Sequence, residues 1–195
     1  MDKKIICVTN RKLCKKDFLF QMKKIIDGNP DRIIVREKDL SGEKLEELVL
    51  QIYRLCQGKR TSLYLHSDFE TARRLEIMKI QLSFQLFKEK RDLIYPDFQV
   101  GVSVHSLEEA KEAESLGAEY VIAGHIFETS CKQNLPPRGL GFLNEICQNV
   151  SLPVFAIGGI SKDNFTKVIE AGAAGACLMS SLMEADNPKE LLNQI

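Results

Sequence analysis

The run Ala123-Gly124-His125-Ile126-Phe127-Glu128-Thr129-Ser130-Cys131-Lys132 leaves an apolar segment through a histidine and then presents hydroxyl, thiol and ammonium groups. An unperturbed imidazole titrates close to neutral pH, so His125 can take up and return a proton, and Thr129 and Lys132 can meet an anion beside it. The chemistry to expect is proton transfer on an anionic small molecule. Ala156-Ile157-Gly158-Gly159-Ile160 and Leu178-Met179-Ser180-Ser181 each stop an apolar run at glycine or serine just before a helical pattern. In parallel α/β proteins such positions offer backbone N–H groups to phosphate. Glycines that only turn the chain and let a helix pack closely would leave the same pattern at 158 and 159.

Arg36-Glu37-Lys38 closes another apolar run with two cations around a carboxylate. Strand alternation sends Arg36 and Lys38 to one side and Glu37 to the other, which fits an anion clamp and equally a solvated charged loop. His105 stands directly before Ser106, the first residue of a helix-capping pattern, and reads as structural. His66 is open between the two roles. Cys131 lies beside Lys132 but has no evident histidine or carboxylate partner, so a nucleophilic thiol is the lesser option. No histidine and carboxylate cluster has metal-ligand spacing, and no metal is expected.

Eight short apolar runs supply the strands that must position these groups, at residues 5–10, 32–37, 61–66, 79–84, 98–104, 120–126, 153–159 and 175–181. Helical spacing fills most gaps between them. Phe18, Met22, Ile25 and Ile26 share one face of 17–27, and Leu45, Leu48, Ile52 and Leu55 share one face of 43–56. Ser106 to Glu109 has the capping-box form and Gly117 stands at the expected C-terminal cap. Alternating strands and helices imply parallel pairing through right-handed crossovers, and eight such units close a compact single-domain (β/α)8 TIM barrel over residues 1–195. Residues 69–97 have the poorest helical pattern, and an open doubly wound sheet is the alternative fold. In a barrel, the strand ends at Asn10, Arg36 to Lys38, His66, Ser103 to His105, His125, Gly159 and Ser180 share one rim, where catalytic groups belong.

Lysine and arginine number 27 and are balanced by 27 aspartates and glutamates, so no global field points to nucleic acid or to an anionic membrane. A small-molecule partner is favoured. Residues 1–6 run into the first strand without a leader-like apolar core, no apolar stretch reaches membrane-spanning length, and a cytoplasmic protein is expected. Six cysteines without a C-x-x-C pair read as reduced, mostly packed thiols.

From Val8-Thr9-Asn10 through Arg36-Glu37-Lys38, Gly101-Val102-Ser103-Val104-His105-Ser106 and Ala156-Ile157-Gly158-Gly159-Ile160 to Met179-Ser180, the chain resembles the thiamine phosphate synthase superfamily. Gly124-His125-Ile126-Phe127-Glu128-Thr129-Ser130-Cys131-Lys132 resembles its thiazole tautomerase (TenI) branch, since synthases usually have proline where His125 stands. The resemblance also implies magnesium-binding carboxylates in synthases, at positions occupied here by His66-Ser67 and Leu86. Ile34 replaces a glutamine that in synthases helps hold the pyrimidine.

What the resemblance implies is an isomerase that aromatises thiazole phosphate carboxylate through a proton shift at His125, without a cofactor. Gly159, Met179 and Ser180 then stand at the phosphate, Thr129 and Lys132 at the carboxylate or phosphate, and Arg36, Lys38 and Ser103 are kept from the synthase pattern. The resemblance further implies a homodimer. Two other readings compete: a thiamine phosphate synthase, for which magnesium would be needed, and a non-catalytic binder of thiazole or thiamine phosphates.

Overall fold

The structure, a computed structural model, describes residues 4–94, 96–132 and 135–195. Part of the N-terminal segment read for a leader, residues 1–3, lies outside them. The strands are β1 (Lys4–Val8), β2 (Arg32–Val35), β3 (Ser62–His66), β4 (Lys79–Ser83), β5 (Gln99–Val104), β6 (Tyr120–Gly124), β7 (Val154–Ile157) and β8 (Gly175–Leu178). They follow one another in sequence order around a closed parallel barrel, which excludes the open doubly wound sheet. Each lies within or near one of the eight apolar runs.

The helices are α1 (Phe18–Ile26), α2 (Gly42–Cys56), α3 (Phe69–Arg74), α4 (Phe84–Ile94), α5 (Leu107–Ser115), α6 (Gly139–Asn149), α7 (Phe165–Glu170), α8 (Ser180–Met183) and α9 (Pro188–Gln194). The poorly patterned stretch 69–97 holds two of them. α3 has only six residues, and α4 buries only Phe87 and Ile94, seven positions apart, too few to draw a periodic stripe.

The chain packs as two compact units interleaved in sequence, Met1–Lys4 with Gln81–Cys177, and Ile5–Ile80 with Leu178–Ile195. We call them the His125 unit and the Arg36 unit. No change of composition along the chain marks this division.

In the His125 unit, β5, β6 and β7 pair in register with Ser103 opposite Ile122 and Gly124 opposite Ile157. β6 is buried along its whole length, so it reads as one continuous apolar run, as a strand covered on both faces must. Ser106 caps α5 as expected, its hydroxyl accepting from the Glu109 N–H at 3.1 Å. The reciprocal bond differs from the capping-box pattern: the Glu109 carboxylate accepts from the His105 N–H at 2.6 Å, one residue before the cap.

In the Arg36 unit, β2 pairs with β1 and β3, with Val35 opposite Leu65. α1 buries Met22, Ile25 and Ile26 as its spacing predicts, but also Gln21. The Gln21 amide donates to the carbonyls of Leu182 and Ala185 at 2.7 and 2.8 Å, tying α1 to the end of α8 and making burial of a polar group tolerable. On α2 the buried stripe is Leu45, Val49, Ile52 and Cys56, rotated by one position from the expected Leu48 and Leu55, which flank it.

Candidate active site

His125 follows β6 directly and is 5% exposed. Backbone bonds fix its loop on both sides. Ile126 N–H donates to the Ile157 carbonyl at 2.9 Å and Phe127 N–H to Gly158 at 3.1 Å, while Arg138 N–H donates to the His125 carbonyl at 2.9 Å. His105, directly after β5, contributes as well, its Nδ1 pairing with the Gly124 carbonyl at 2.8 Å, so its structural role extends to the chain that carries His125.

The imidazole Nε2 of His125 lies 3.2 Å from the Leu135 carbonyl oxygen. A carbonyl can only accept, so this bond requires the proton on Nε2 and leaves the lone pair of the neutral ring on Nδ1. Nδ1 is therefore the basic nitrogen. Thr129 is half-buried, and its hydroxyl accepts from the Cys131 N–H at 3.3 Å. Lys132 ends a short 3-10 turn, Ser130–Lys132, with its side chain exposed; its carbonyl accepts from the Leu135 N–H at 3.2 Å. The same turn that presents Lys132 thus holds the residue that orients His125.

Gly159 has φ 64°, and a Cβ there would overlap the Glu128 carbonyl and lie 2.8 Å from Phe127 Cβ. Close packing on the histidine loop alone accounts for glycine at this position. Ser103, half-buried on β5, accepts at Oγ from Gln81 Nε2 at 3.0 Å. Gln81 lies mid-β4 and is 1% exposed, in space left by Gly101, where a Cβ would overlap its Oε1. Among the described residues Gln81 Oε1 has no hydrogen-bond partner. Sequence reasoning missed this residue, although a glutamine between Ile80 and Leu82 in a buried strand was its signal.

In the Arg36 unit, Glu37 is buried and turned back toward the end of β1. Its carboxylate accepts from the Thr9 hydroxyl at 2.7 Å, the Arg11 N–H at 3.0 Å and the Arg11 guanidinium at 3.0 Å. Arg11 also forks onto Asp39 with two bonds of 2.7 Å, which holds the Asp39 carboxyl far below the usual range. Arg36 and Lys38 act instead on His66. Burial first, then these two cations, push the His66 imidazole down to about 4. His66 Nδ1 lies 2.9 Å from the Ser67 hydroxyl.

Met179 and Ser180 are half-buried at the end of β8, where the Met179 carbonyl accepts from the N–H groups of Leu182 and Met183 at 3.1 and 2.9 Å. Ser180 and Gly159 belong to different units. The six cysteines are free thiols; Cys7, Cys56 and Cys177 are buried, whereas Cys131 is exposed rather than packed.

Eight strands closed into a parallel barrel with helices between them make the (β/α)8 TIM-barrel fold, whose enzymes carry their chemistry at the strand C-terminal ends. The family profile described as Thiamine monophosphate synthase matches residues 5–182. The chain is 32% identical over 190 residues to a thiamine-phosphate synthase of Chlorobium phaeobacteroides, covering 96% of this chain and 92% of that protein. It is 33% identical over 184 residues to a putative thiamine-phosphate synthase 2 of Aquifex aeolicus, covering 93% and 98%. Among solved structures, a thiamine phosphate pyrophosphorylase from Pyrococcus furiosus superposes with a TM-score of 0.85 at 29% identity, covering 98% of this chain and 92% of that one. The chain belongs to the thiamine monophosphate synthase family, an enzyme family of thiamine biosynthesis.

Magnesium is bound by oxygen ligands, with carboxylates foremost. The positions that the synthase pattern gives to such ligands hold an imidazole, a hydroxyl and the apolar Leu86. The carboxylate nearest in sequence, Asp68, caps α3, accepting from the Thr71 N–H at 2.8 Å. Among the described residues no three histidine, cysteine, aspartate or glutamate side chains converge as a metal site. These residues do not fit the magnesium site that the synthase pattern implies.

Proposed function

We propose that the chain is a thiazole tautomerase, an isomerase that aromatises thiazole phosphate carboxylate by moving a proton between two positions of the same ring. The observation that carries this reading is the buried His125 with Nε2 on the Leu135 carbonyl and Nδ1 left basic. Nδ1 takes the proton as the ring C–H bond breaks, and the electron pair delocalises into the ring. The resulting imidazolium keeps its Nε2–H on Leu135, a charge-assisted bond stronger than the neutral one. Nδ1 then returns the proton to the second ring position, so proton and charge balance without a cofactor. By motif position Gly159, Met179 and Ser180 are assigned to the phosphate, and Thr129 and Lys132 to the carboxylate or phosphate. Ser103, Arg36 and Lys38 are assigned to further anionic or polar groups of the ligand.

A second reading, thiamine phosphate synthase, is favoured by the names of the relatives and would bring magnesium with it. One coupled experiment separates the two. Purified protein is given the product of a thiazole synthase, and the aromatic chromophore is followed. Pyrimidine pyrophosphate is then added with and without magnesium, and thiamine phosphate is measured. The isomerase reading expects fast aromatisation and little or no thiamine phosphate in either case; robust magnesium-dependent thiamine phosphate synthesis would establish the synthase instead.

A further inference from the structure

The proton shift leaves unused a buried amide in the His125 unit. Gln81 lies in β4 between Ile80 and Leu82 and is 1% exposed, and its Nε2 donates to the Ser103 hydroxyl at 3.0 Å and to the Leu82 carbonyl at 3.4 Å. A carbonyl can only accept, so the nitrogen and not the oxygen of the amide must face Leu82. Oε1 is turned over Gly101, where the absence of a Cβ leaves it room, and among the described residues it has no hydrogen-bond partner. That end of the amide costs stability, and an apolar side chain would avoid the orphaned oxygen. What Gln81 contributes must therefore lie at its other end.

Ser103 Oγ carries one proton and two lone pairs. One lone pair is filled by the Gln81 N–H, and an amide nitrogen cannot accept, so the hydroxyl proton must point away from Gln81. Among the described residues the Ser103 hydroxyl makes no second hydrogen bond. Ser103 is half-buried near the end of β5, opposite Ile122, which stands three residues before His125 on the neighbouring strand. A donor is thus held in one direction from behind, on the strand next to the one that leads into His125.

We propose that Gln81 is a positioning residue that sets the polarity of Ser103, so that the hydroxyl meets the ligand as a donor to an acceptor oxygen. This deepens the proposed function and rests on its premise of an anionic substrate. A hydroxyl without the amide behind it rotates between donating and accepting, whereas the braced one selects a group that only accepts. A carboxylate and a phosphoryl group share this chemistry. Donation to either also makes Oγ a better acceptor for the Gln81 N–H, so the two bonds strengthen each other.

The test reads binding rather than turnover, by calorimetry on the full chain with three probes: thiazole phosphate carboxylate, the same molecule without its carboxylate, and the same molecule without its phosphate. Each variant is first checked for a native thermal transition. Ser103→Ala should weaken the first probe about tenfold and Gln81→Leu about threefold, with Gln81→Met, unbranched like glutamine, repeating the second result. In the double variant of Gln81→Leu with Ser103→Ala the loss should equal that of Ser103→Ala alone, because the amide acts only through the hydroxyl. The probe on which both losses vanish identifies the group that Ser103 meets. In the native chain the Gln81 side-chain amide resonances, assigned by their disappearance in Gln81→Leu, should shift when the first probe is added and stay still in Ser103→Ala. Native affinity in both Gln81 variants, additive losses in the double variant, losses of equal size on all three probes, or amide resonances that ignore the first probe would overturn the role of Gln81. A chain that binds these probes without isomerising its substrate would fail the His125 mechanism and leave this proposal standing, so the two failures are distinct.

Discussion

The two units hold their polar groups by different means. In the His125 unit the imidazole is placed through main-chain groups: the loop on Ile157 and Gly158, the ring on the Leu135 carbonyl, and the Gly124 carbonyl before it on the His105 side chain. In the Arg36 unit the polar groups are placed by side chains and charge, with Glu37 drawn back by Thr9 and Arg11 and His66 set among cations. Main-chain bonds fix direction and depend little on pH or salt, which suits a base that must present one nitrogen. Charge clusters have longer range and respond to pH and to ligand charge, which suits anion capture.

The largest expected effect tests the first half of this contrast. His125→Asn should keep the fold and lower isomerase turnover by ~10²-fold or more, the usual scale for a lost acid and base. Turnover close to native would remove the role assigned to the imidazole.

Gly159→Val comes next and sharpens it. A side chain at φ 64° against the Glu128 carbonyl must displace the histidine loop, so both turnover and stability should fall, the latter by about 1–3 kcal/mol in urea unfolding. Loss of phosphate affinity alone, with stability and turnover of a phosphate-free analogue intact, would show that the loop tolerates the side chain.

The pH response belongs to the Arg36 unit. His66 binds a proton near 6.5 when unfolded and only near 4 when folded, so the unfolded chain holds more protons between these values. Its contribution is complete above pH 6.5 and is lost as pH falls to about 4, by at most about 3 kcal/mol. Urea midpoints measured from pH 7 to 4 should fall for the native chain and fall less for His66→Phe. Parallel curves would separate His66 from the acid sensitivity.

The smallest effect concerns Gln81→Leu. Removing the amide that donates to Ser103 frees the hydroxyl to rotate, and KM should rise a few-fold with kcat nearly unchanged, while stability changes by about 1 kcal/mol or less because an unpaired buried oxygen leaves with it. A fall in kcat with KM unchanged would place Ser103 in the chemical step.

The strands and most long helices were legible because hydrophobic period records which face is covered, as in β6 and α1. α4 was not, because two buried residues make no stripe. Alternation left Arg36 and Lys38 open between an anion clamp and a solvated loop, whereas the place of His125 at a strand end was legible. The bond that selects its basic nitrogen was not legible, since it ends on a main-chain carbonyl and any residue at 135 would supply the same atom. Gln81 and Gln21 show the converse: a polar residue inside an apolar run indicates a buried bond without naming its partner.

Because Leu135 reaches back ten residues to touch His125, the length of the intervening chain acts as a ruler. Leucine could be exchanged for almost any residue and the carbonyl would remain. Adding one residue between Phe127 and Lys132 would move that oxygen by up to ~3.5 Å along the chain, out of hydrogen-bond range. The imidazole would then be free to hold its proton on either nitrogen, with every side chain of the loop still in place.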